Sequence, residues 1–274
     1  MKLYFAGNIS YEEETALAES GGLIWRLLSY AEFGGSSLGG FEYWGREAAP
    51  APYFLDSGAF SALTRGLTID IGRYCSYIEE NINRINPYAS LDVIGDWRGS
   101  ARNYDLMRKR CLEPVPTFHQ GSPITELERL IKEVDYIALG GMVGSPRDKV
   151  KVWLDSCWNV IRKHWPKKVH SFGNTSPRVL LRYPWYSADS SSAIITAGLG
   201  CIADWDGTKM LTRHYSDYSR RYMNATGLDK VSPYSQPGTG TAYTGRRLLN
   251  VGAQRSLERH VTDIWKIHGI TWED

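Results

Sequence analysis

Short apolar runs alternate with helical stretches along the first 190 residues, and this alternation limits the possible folds more than any other feature of the chain. Each run is bounded by glycine, proline or polar residues, as expected of a buried strand. Strands interleaved with helices require crossover connections, which produce a parallel sheet. The predicted strands are Lys2–Ala6, Leu23–Tyr30, Tyr53–Leu55, Tyr88–Ile94, Val115–Phe118, Tyr136–Leu139, Val169–Phe172 and Trp185–Ala188.

Eight β–α units of this length predict an α/β fold of the (β/α)8 TIM-barrel type. An open doubly wound sheet is the alternative, but the GxGxxG turn expected after its first strand is absent. Leu23–Tyr30 also fits a short buried helix. The predicted helices are Tyr11–Glu19, Ile71–Ile85, Ser100–Cys111, Ile124–Val134, Pro146–His164 and Pro177–Arg182.

The 274 residues, 42% of them hydrophobic, are enough for one large domain with a substantial core. We predict a single domain over residues 1–274, with the barrel at about 1–205 and a C-terminal extension at about 206–274. The extension should end in a helix at Leu248–His268, without a zinc subdomain. Two glycine-rich stretches, Ala31–Ala51 and Ser232–Gly245, predict loops.

The net charge and the cysteine pattern exclude several classes of protein. The net charge of +2 provides no global field for nucleic acid or membranes, and no apolar stretch is long enough to cross a bilayer. The chain opens on a strand-like segment rather than a signal peptide. Its scattered cysteines predict reduced thiols in the cytoplasm, that of the host if a phage encodes the protein. No histidine has ligand spacing, so we predict no metal and no cofactor. The cysteines are Cys75, Cys111, Cys157 and Cys201.

Polar residues and glycine turns follow several predicted strands, and in a barrel these strand ends converge on one pocket. An acid at a strand end also caps a following helix, and for any single acid that alternative is equally good. Three acids and a glutamine around one cavity are better explained by a binding site. The strand-end residues are Asp56, Ser57, Gly58, Asp92, Gln120, Gly121, Gly140, Gly141, Phe172, Gly173 and Asp189.

Such a pocket suits sugar transfer or recognition of a planar polar base. Of two carboxylates, one can attack an anomeric carbon while the other transfers protons. A third acid and a glutamine can bind the donor edge of a purine, because a carboxylate accepts from N–H groups and an amide both donates and accepts. Backbone N–H groups at glycine turns can bind a carbonyl.

Five segments in order resemble the tRNA-guanine (queuine) transglycosylase family, over residues 53–192. Leu55–Phe60 resembles its Asp-Ser-Gly-Gly-Phe signature, and Phe118–Gly121 resembles its Val-Gln-Gly turn. Ala138–Gly141 is similar to its Ile-Gly-Gly turn. Ser171–Pro177 is similar to its Gly-Val-Gly-Thr-Pro segment, and Ala188–Ser190 falls where the family has its nucleophilic aspartate. The pattern is most like the short phage-type 7-deazaguanine DNA transglycosylases.

The resemblance implies a role for each matched residue. Asp189 becomes the nucleophile on C1′ of the sugar, and Asp56 the general acid and base for the exchanged bases. Asp92 and Gln120 would bind the purine edge, and the Gly140-Gly141 backbone would bind its O6 or a 7-substituent. The remaining substrate-binding positions implied are Ser57, Gly58, Gly121, Phe172 and Gly173.

The chain also departs from the family. Ala59 replaces a glycine, no glutamine follows Phe60, and the C-terminal CxCxxC…His zinc motif is absent. Because the zinc subdomain helps those enzymes to hold tRNA, its absence favours DNA. The expected activity is exchange of guanine in DNA for a free 7-deazaguanine such as preQ0, without a membrane partner. Alternatives are tRNA as substrate, a nucleosidase or glycoside hydrolase using the same acids, and a barrel that only binds nucleic acid or a partner. Related enzymes often dimerise, so a homodimer is compatible with the resemblance.

Four arginines are candidates for contact with nucleic-acid phosphates. Arg98 and Arg102 follow the fourth predicted strand, and Arg246 and Arg247 follow a tyrosine-rich segment. A solvated helix start explains the first pair equally well, and packing of the last helix explains the second. His170, inside a predicted strand, is interpreted as a core residue rather than a base.

Overall fold

The structure is a computed structural model and describes residues 1–7, 25–33, 53–217 and 240–272. Eight parallel strands with helices between them confirm the predicted (β/α)8 TIM-barrel class. The predicted helix Tyr11–Glu19 lies outside the described residues. So do residues 34–51 of the first predicted loop and residues 232–239 of the second.

The strands and helices are labelled in chain order. The strands are β1 (Lys2–Ala6), β2 (Trp25–Ser29), β3 (Tyr53–Asp56), β4 (Ile85–Tyr88), β5 (Thr117–His119), β6 (Tyr136–Gly140), β7 (Lys168–Ser171), β8 (Ser187–Ser190), β9 (Cys201–Trp205) and β10 (Met210–His214). The α-helices are α1 (Tyr30–Phe33), α2 (Ala59–Thr64), α3 (Ile71–Glu80), α4 (Trp97–Lys109), α5 (Ile124–Glu133), α6 (Arg147–Ile161), α7 (Pro177–Leu180), α8 (Ser192–Gly198) and α9 (Gly240–Ile267). Short 3-10 helices lie at Arg162–His164 and Tyr215–Asp217.

The chain divides into two compact units. The strand unit comprises residues 25–174 and 185–189, and it contains β2 to β7, most of β8 and helices α1 to α6. The terminal unit comprises residues 1–24, 175–184 and 190–274, and its described part contains β1, the antiparallel β9–β10 hairpin and helices α7 to α9. No helix in the described ranges is both long and apolar enough to cross a membrane.

In the strand unit, the parallel pairing aligns the carboxyl ends of the strands. β2 pairs with β3 and β3 with β4, while β5, β6, β7 and β8 pair in succession. An isolated parallel bridge between Ala89 and Val115 connects the segments that follow β4 and precede β5. Because parallel strands all end at one edge of a sheet, the polar residues at those ends share that edge.

The fourth strand is where the prediction fails most clearly. It was expected at Tyr88–Ile94 but ends at Tyr88, and α3 ends at Glu80 rather than Ile85. Pro87 breaks the regular pattern here, and the structure accommodates it within β4 through a register shift against β3. A proline at such an irregularity removes no ladder hydrogen bond that the sheet needs. Asp92 therefore lies in the segment after β4 instead of within the strand.

The last helix is longer than predicted. It begins at Gly240, so the predicted loop Ser232–Gly245 is wrong for residues 240–245. Asn250, inside the predicted part of the helix, ties it to the rest of the terminal unit. Its side chain is fully buried and bonds the backbone of Ala193, Cys201 and Ala203. Tertiary contacts of this kind override weak helix propensity.

Candidate active site

Asp56 is the last residue of β3 and is placed by the turn that follows it. Ser57 is buried, and Gly58 has φ 71°, a conformation that favours glycine. A Cβ atom at position 58 would lie 2.5 Å from the Cβ of Ala31 and would also collide with the Oγ of Ser29. The Asp-Ser-Gly segment therefore makes a turn against the end of β2, and only glycine fits at position 58 of that turn.

We expect Gly58→Ala to destabilise the protein more than Gly121→Ala does. Gly121 also has positive φ, 96°, but a Cβ there would meet no atom of the described structure within 4 Å. Gly121→Ala should therefore lower the free energy of unfolding only by the cost of placing alanine in a left-handed backbone conformation, about 1–2 kcal/mol. Gly58→Ala adds the collision with the end of β2. Chemical denaturation of both variants measures the difference, and equal losses would contradict the close contact.

Asp56 is half-buried, and desolvation of its carboxyl group raises its pKa to about 7. Desolvation is the largest cause, and the negative charge of Asp189 adds to it. Backbone N–H groups of Gly58 and Ser57 act in the opposite direction. A carboxyl group with a pKa near neutrality can both give and take a proton at physiological pH, which is what general acid–base catalysis requires.

The two oxygens of Asp92 have different surroundings. Its Oδ2 lies 3.4 Å from Nε2 of His119, while its buried Oδ1 accepts no hydrogen bond of normal geometry in the described structure. The hydroxyl group of Thr117 lies close enough to the carboxyl group to lower its pKa slightly, against the larger effect of burial. Desolvation, and then the charge of Asp56, raise the pKa of Asp92 well above its usual value. Desolvation also lowers the pKa of His119 to about 4, so the imidazole is neutral near pH 7. A buried acceptor without a donor is uncommon in a folded protein and is a natural position for a ligand N–H group.

Gln120, Gly140 and Gly141 lie beside His119. The Oε1 of Gln120 accepts a hydrogen bond of 2.7 Å from Ser145 Oγ, which fixes the amide and leaves its NH₂ group as a donor. A Cβ at Gly140 would lie 3.0 Å from the His119 ring, so glycine at this position makes room for the imidazole. The role of the Gly140-Gly141 backbone in binding O6 stays a prediction.

Asp189 is the third residue of β8 and is 7% exposed. Its Oδ1 lies 2.8 Å from the backbone N of Gly173, which donates to it, and 3.2 Å from Nε2 of His170. The ring of Phe172 packs against Phe54 and His170, with centroids 5.6 and 4.5 Å apart. Gly173 therefore contacts the predicted nucleophile, and Phe172 forms an aromatic wall next to it.

His170 is a residue of the candidate site that the sequence did not identify. It is fully buried with both ring nitrogens hydrogen-bonded, as expected of a core histidine, but one of those partners is Asp189. The signal is present in the register: His170 pairs with Ser187, and Asp189 follows Ser187 by two positions on the same face of β8. Only knowledge of that pairing links the two residues.

The three predicted acids come together in the strand unit. Asp189 raises the pKa of Asp56, and Asp56 in turn raises the pKa of Asp92, which requires the charges to lie near one another. That the three acids line one pocket stays a prediction. In the described residues no group of three or more His, Cys, Asp and Glu side chains is placed to hold a metal ion.

The four candidate arginines divide into two pairs. Arg98 and Arg102 are exposed on the first turns of α4, where Arg98 lies over the Trp97 ring and Arg102 pairs with Asp96 at 3.4 Å. In the terminal unit, Arg246 is fully buried and its Nε donates to Ala197 O at 3.0 Å. Arg247 is only 9% exposed.

Buried guanidinium groups do not reach a phosphate, so the predicted nucleic-acid contacts of Arg246 and Arg247 are not supported. Arg246 packs within the terminal unit, with its guanidinium 5.6 Å from the centre of the Tyr215 ring. The long apolar stem of arginine allows such packing, which sequence alone does not distinguish from a surface role.

No family model matches the chain, and no curated protein matches it. Among solved structures it is similar to variants of the tryptophan synthase alpha-subunit from Pyrococcus furiosus. One has a TM-score of 0.47 with 11% identity, covering 93% of this chain and 96% of that one. Another has a TM-score of 0.46 with 10% identity, covering 96% of both chains. A structure from Aquifex aeolicus has a TM-score of 0.43 with 13% identity, covering 71% of this chain and 84% of that one.

Proposed function

We propose that the protein is a base-exchanging transglycosylase that replaces guanine in DNA with a 7-deazaguanine such as preQ0. The observation that carries this proposal is a pair of neighbouring acids in different surroundings. Asp189 has one oxygen fixed by two nitrogen partners, while the pKa of Asp56 is raised to about 7. Pairs of acids whose surroundings differ in this way divide the roles of nucleophile and proton carrier.

The exchange consists of two displacements at C1′. In the first, a carboxylate oxygen of Asp189 forms a bond to C1′ while the bond from C1′ to N9 of guanine breaks. The electron pair of that bond stays on guanine, which takes a proton from Asp56. In the second, N9 of the incoming base attacks C1′, the bond to Asp189 breaks, and Asp56 takes the proton that the base loses. Two inversions retain the configuration of the sugar, and the enzyme returns to its starting state.

Recognition of the base would use the side chains of Asp92 and Gln120. The buried Oδ1 of Asp92 accepts from N–H groups of the purine edge, and the NH₂ group of Gln120 donates to a ring or carbonyl acceptor. Phe172 provides an aromatic surface for the base. A guanine in a duplex has to be flipped out to reach these groups, at a cost of about a few kcal/mol.

Nucleoside mass spectrometry tests the proposal. Purified protein is incubated with preQ0 and either duplex DNA, single-stranded DNA or tRNA, and the digested nucleosides are analysed. The expected result is a deazaguanine deoxynucleoside, with free guanine released in equal amount. Incorporation into tRNA alone, or guanine release without incorporation, would replace the proposal with one of the two alternatives. No reaction with any of these nucleic acids would overturn it.

We expect Arg98→Ala and Arg102→Ala to weaken DNA binding and to reduce the slope of log affinity against log salt by about one unit each. The reason is that each exposed guanidinium at the start of α4 releases roughly one counterion when it meets a phosphate. Fluorescence anisotropy over a range of salt concentrations measures the slope. Lys163→Ala is the matched control, because Lys163 is exposed just before β7, at the amino-terminal end of the strands. Unchanged slopes for both variants would show that Arg98 and Arg102 do not contact DNA phosphates.

A further inference from the structure

A continuous chain of hydrogen bonds runs behind Asp189. Tyr136 Oη lies 2.6 Å from Ser187 Oγ, and Ser187 Oγ lies 2.7 Å from Nδ1 of His170. Nε2 of the same imidazole lies 3.2 Å from Oδ1 of Asp189. Ser187 and His170 are fully buried, so the middle of this hydrogen-bond chain is shielded from water.

The direction of each of these hydrogen bonds can be worked out in turn, starting from Asp189. Burial lowers the pKa of His170, so the ring carries one proton near neutral pH. An ionised carboxylate can only accept, so that proton is on Nε2 and is donated to Asp189. Nδ1 is then an acceptor, which requires Ser187 to donate to it. Ser187 has only one hydroxyl proton, so it accepts in turn from Tyr136.

The two oxygens of Asp189 are consequently not equivalent. Oδ1 receives the N–H of Gly173 and the Nε2–H of His170, whereas Oδ2 receives no hydrogen bond from the described residues. The side chain is 10% exposed. An oxygen that already accepts two hydrogen bonds is a poorer nucleophile than one that accepts none, since attack has to break or weaken those bonds.

We propose that His170 is a positioning residue that fixes the Asp189 carboxylate so that Oδ2 is the attacking oxygen, with Ser187 and Tyr136 holding the imidazole in the Nε2–H form. The attack itself rests on the function proposed above. The hydrogen-bond chain does not, since it is a property of the folded protein alone. The two parts are therefore tested separately.

The kinetic test measures the first displacement in a single turnover. The full-length protein is mixed with a guanine-containing oligonucleotide, quenched in denaturant, and the covalent protein–DNA adduct is quantified on a gel. His170→Phe keeps an aromatic ring against Phe54 and Phe172 but removes both nitrogens. We expect adduct formation to slow by about 10- to 100-fold, as small misplacements of reacting groups do. The KM for preQ0, measured separately at steady state, should change less than twofold, because His170 is fully buried behind Asp189.

Two further variants separate positioning from simple destabilisation. His170→Gln puts an amide N–H close to the position of Nε2 and should recover part of the lost rate, which a packing role does not explain. Tyr136→Phe removes only the outermost hydroxyl and should slow adduct formation a few-fold. His268→Phe, at an exposed histidine of the terminal unit, is the matched control and should leave the rate unchanged.

The structural test uses ¹⁵N-histidine NMR of the unmodified protein. The His170 resonances should show an unprotonated Nδ1 and a protonated Nε2, and Ser187→Ala should produce a mixture of both forms. A protonated Nδ1 in the unmodified protein would overturn the inference, even if His170→Phe does not fold. Equal adduct rates in His170→Phe and the unmodified protein would also overturn it without affecting the proposed function. Absence of any adduct in the unmodified protein, by contrast, would count against the proposed function, leaving the NMR result to decide the hydrogen-bond chain.

Discussion

Asp189→Asn is expected to reduce base exchange by about 10⁴-fold or more, as removal of a covalent nucleophile does in other enzymes. Asparagine keeps an oxygen that can accept from Gly173 and His170, so the local hydrogen bonds and the fold should survive. What is lost is the negatively charged oxygen that bonds to C1′. The Asp189→Ala variant should lose activity equally, with some loss of stability from two unpaired donors.

Activity is measured as preQ0 incorporation, and folding by circular dichroism and thermal unfolding. Asp135→Asn is the matched control, because the Asp135 side chain is 96% exposed and forms its salt bridge with Lys167. If Asp189→Asn and Asp189→Ala retained normal exchange, the nucleophile assignment would be wrong, and Asp56 would be the next residue to test.

Asp56→Asn is expected to abolish exchange and, at the same time, to stabilise the protein at alkaline pH. The folded state raises the pKa of Asp56 from 3.8 to about 7, so between these values the folded protein binds a proton that the unfolded chain releases. Stability therefore falls as pH rises through this window, and the loss is complete above about pH 7. A shift of this size corresponds to at most about 4 kcal/mol.

Asparagine resembles the neutral carboxyl group and does not ionise, so the variant should lack this fall in stability. The free energy of unfolding is measured by urea denaturation at pH 4.5 and pH 8, and the gain of the variant over the unmodified protein should be larger at pH 8. Asp96→Asn is a control of opposite sign, since hydrogen bonds to the backbone N–H of Gly99 lower the pKa of that exposed group. A gain from Asp56→Asn that does not change with pH would contradict a raised pKa at this position.

A site residue can be predicted from sequence when its position depends on neighbouring residues in the chain rather than on a distant element. Asp56 and Gly58 were predictable because the end of a short apolar run and the turn after it are encoded within a few adjacent residues. Asp189 was predictable for the same reason, although the strand that holds it begins two residues later than expected.

The contacts that sequence did not reveal depend on pairing between distant elements. Pro87 lies within a strand because β3 accommodates it, and His170 contacts Asp189 because of the register between β7 and β8. Arg246 is buried because the terminal unit packs around it. In each case the residue type is compatible with two environments, and only the partner element decides between them.

If Asp92 binds the base as proposed, its buried Oδ1 has a consequence for the choice of base. A base that offers an N–H group to it relieves the energetic cost of a buried acceptor, whereas a base without a donor there leaves that cost in place. Discrimination then arises from the penalty imposed on the wrong base more than from extra attraction to the correct one. Sites built on a missing hydrogen-bond partner reject analogues far better than apolar pockets do. Under the proposed function, one buried carboxyl oxygen in the strand unit would thus select the base at the binding step, without a second reaction or a separate editing domain.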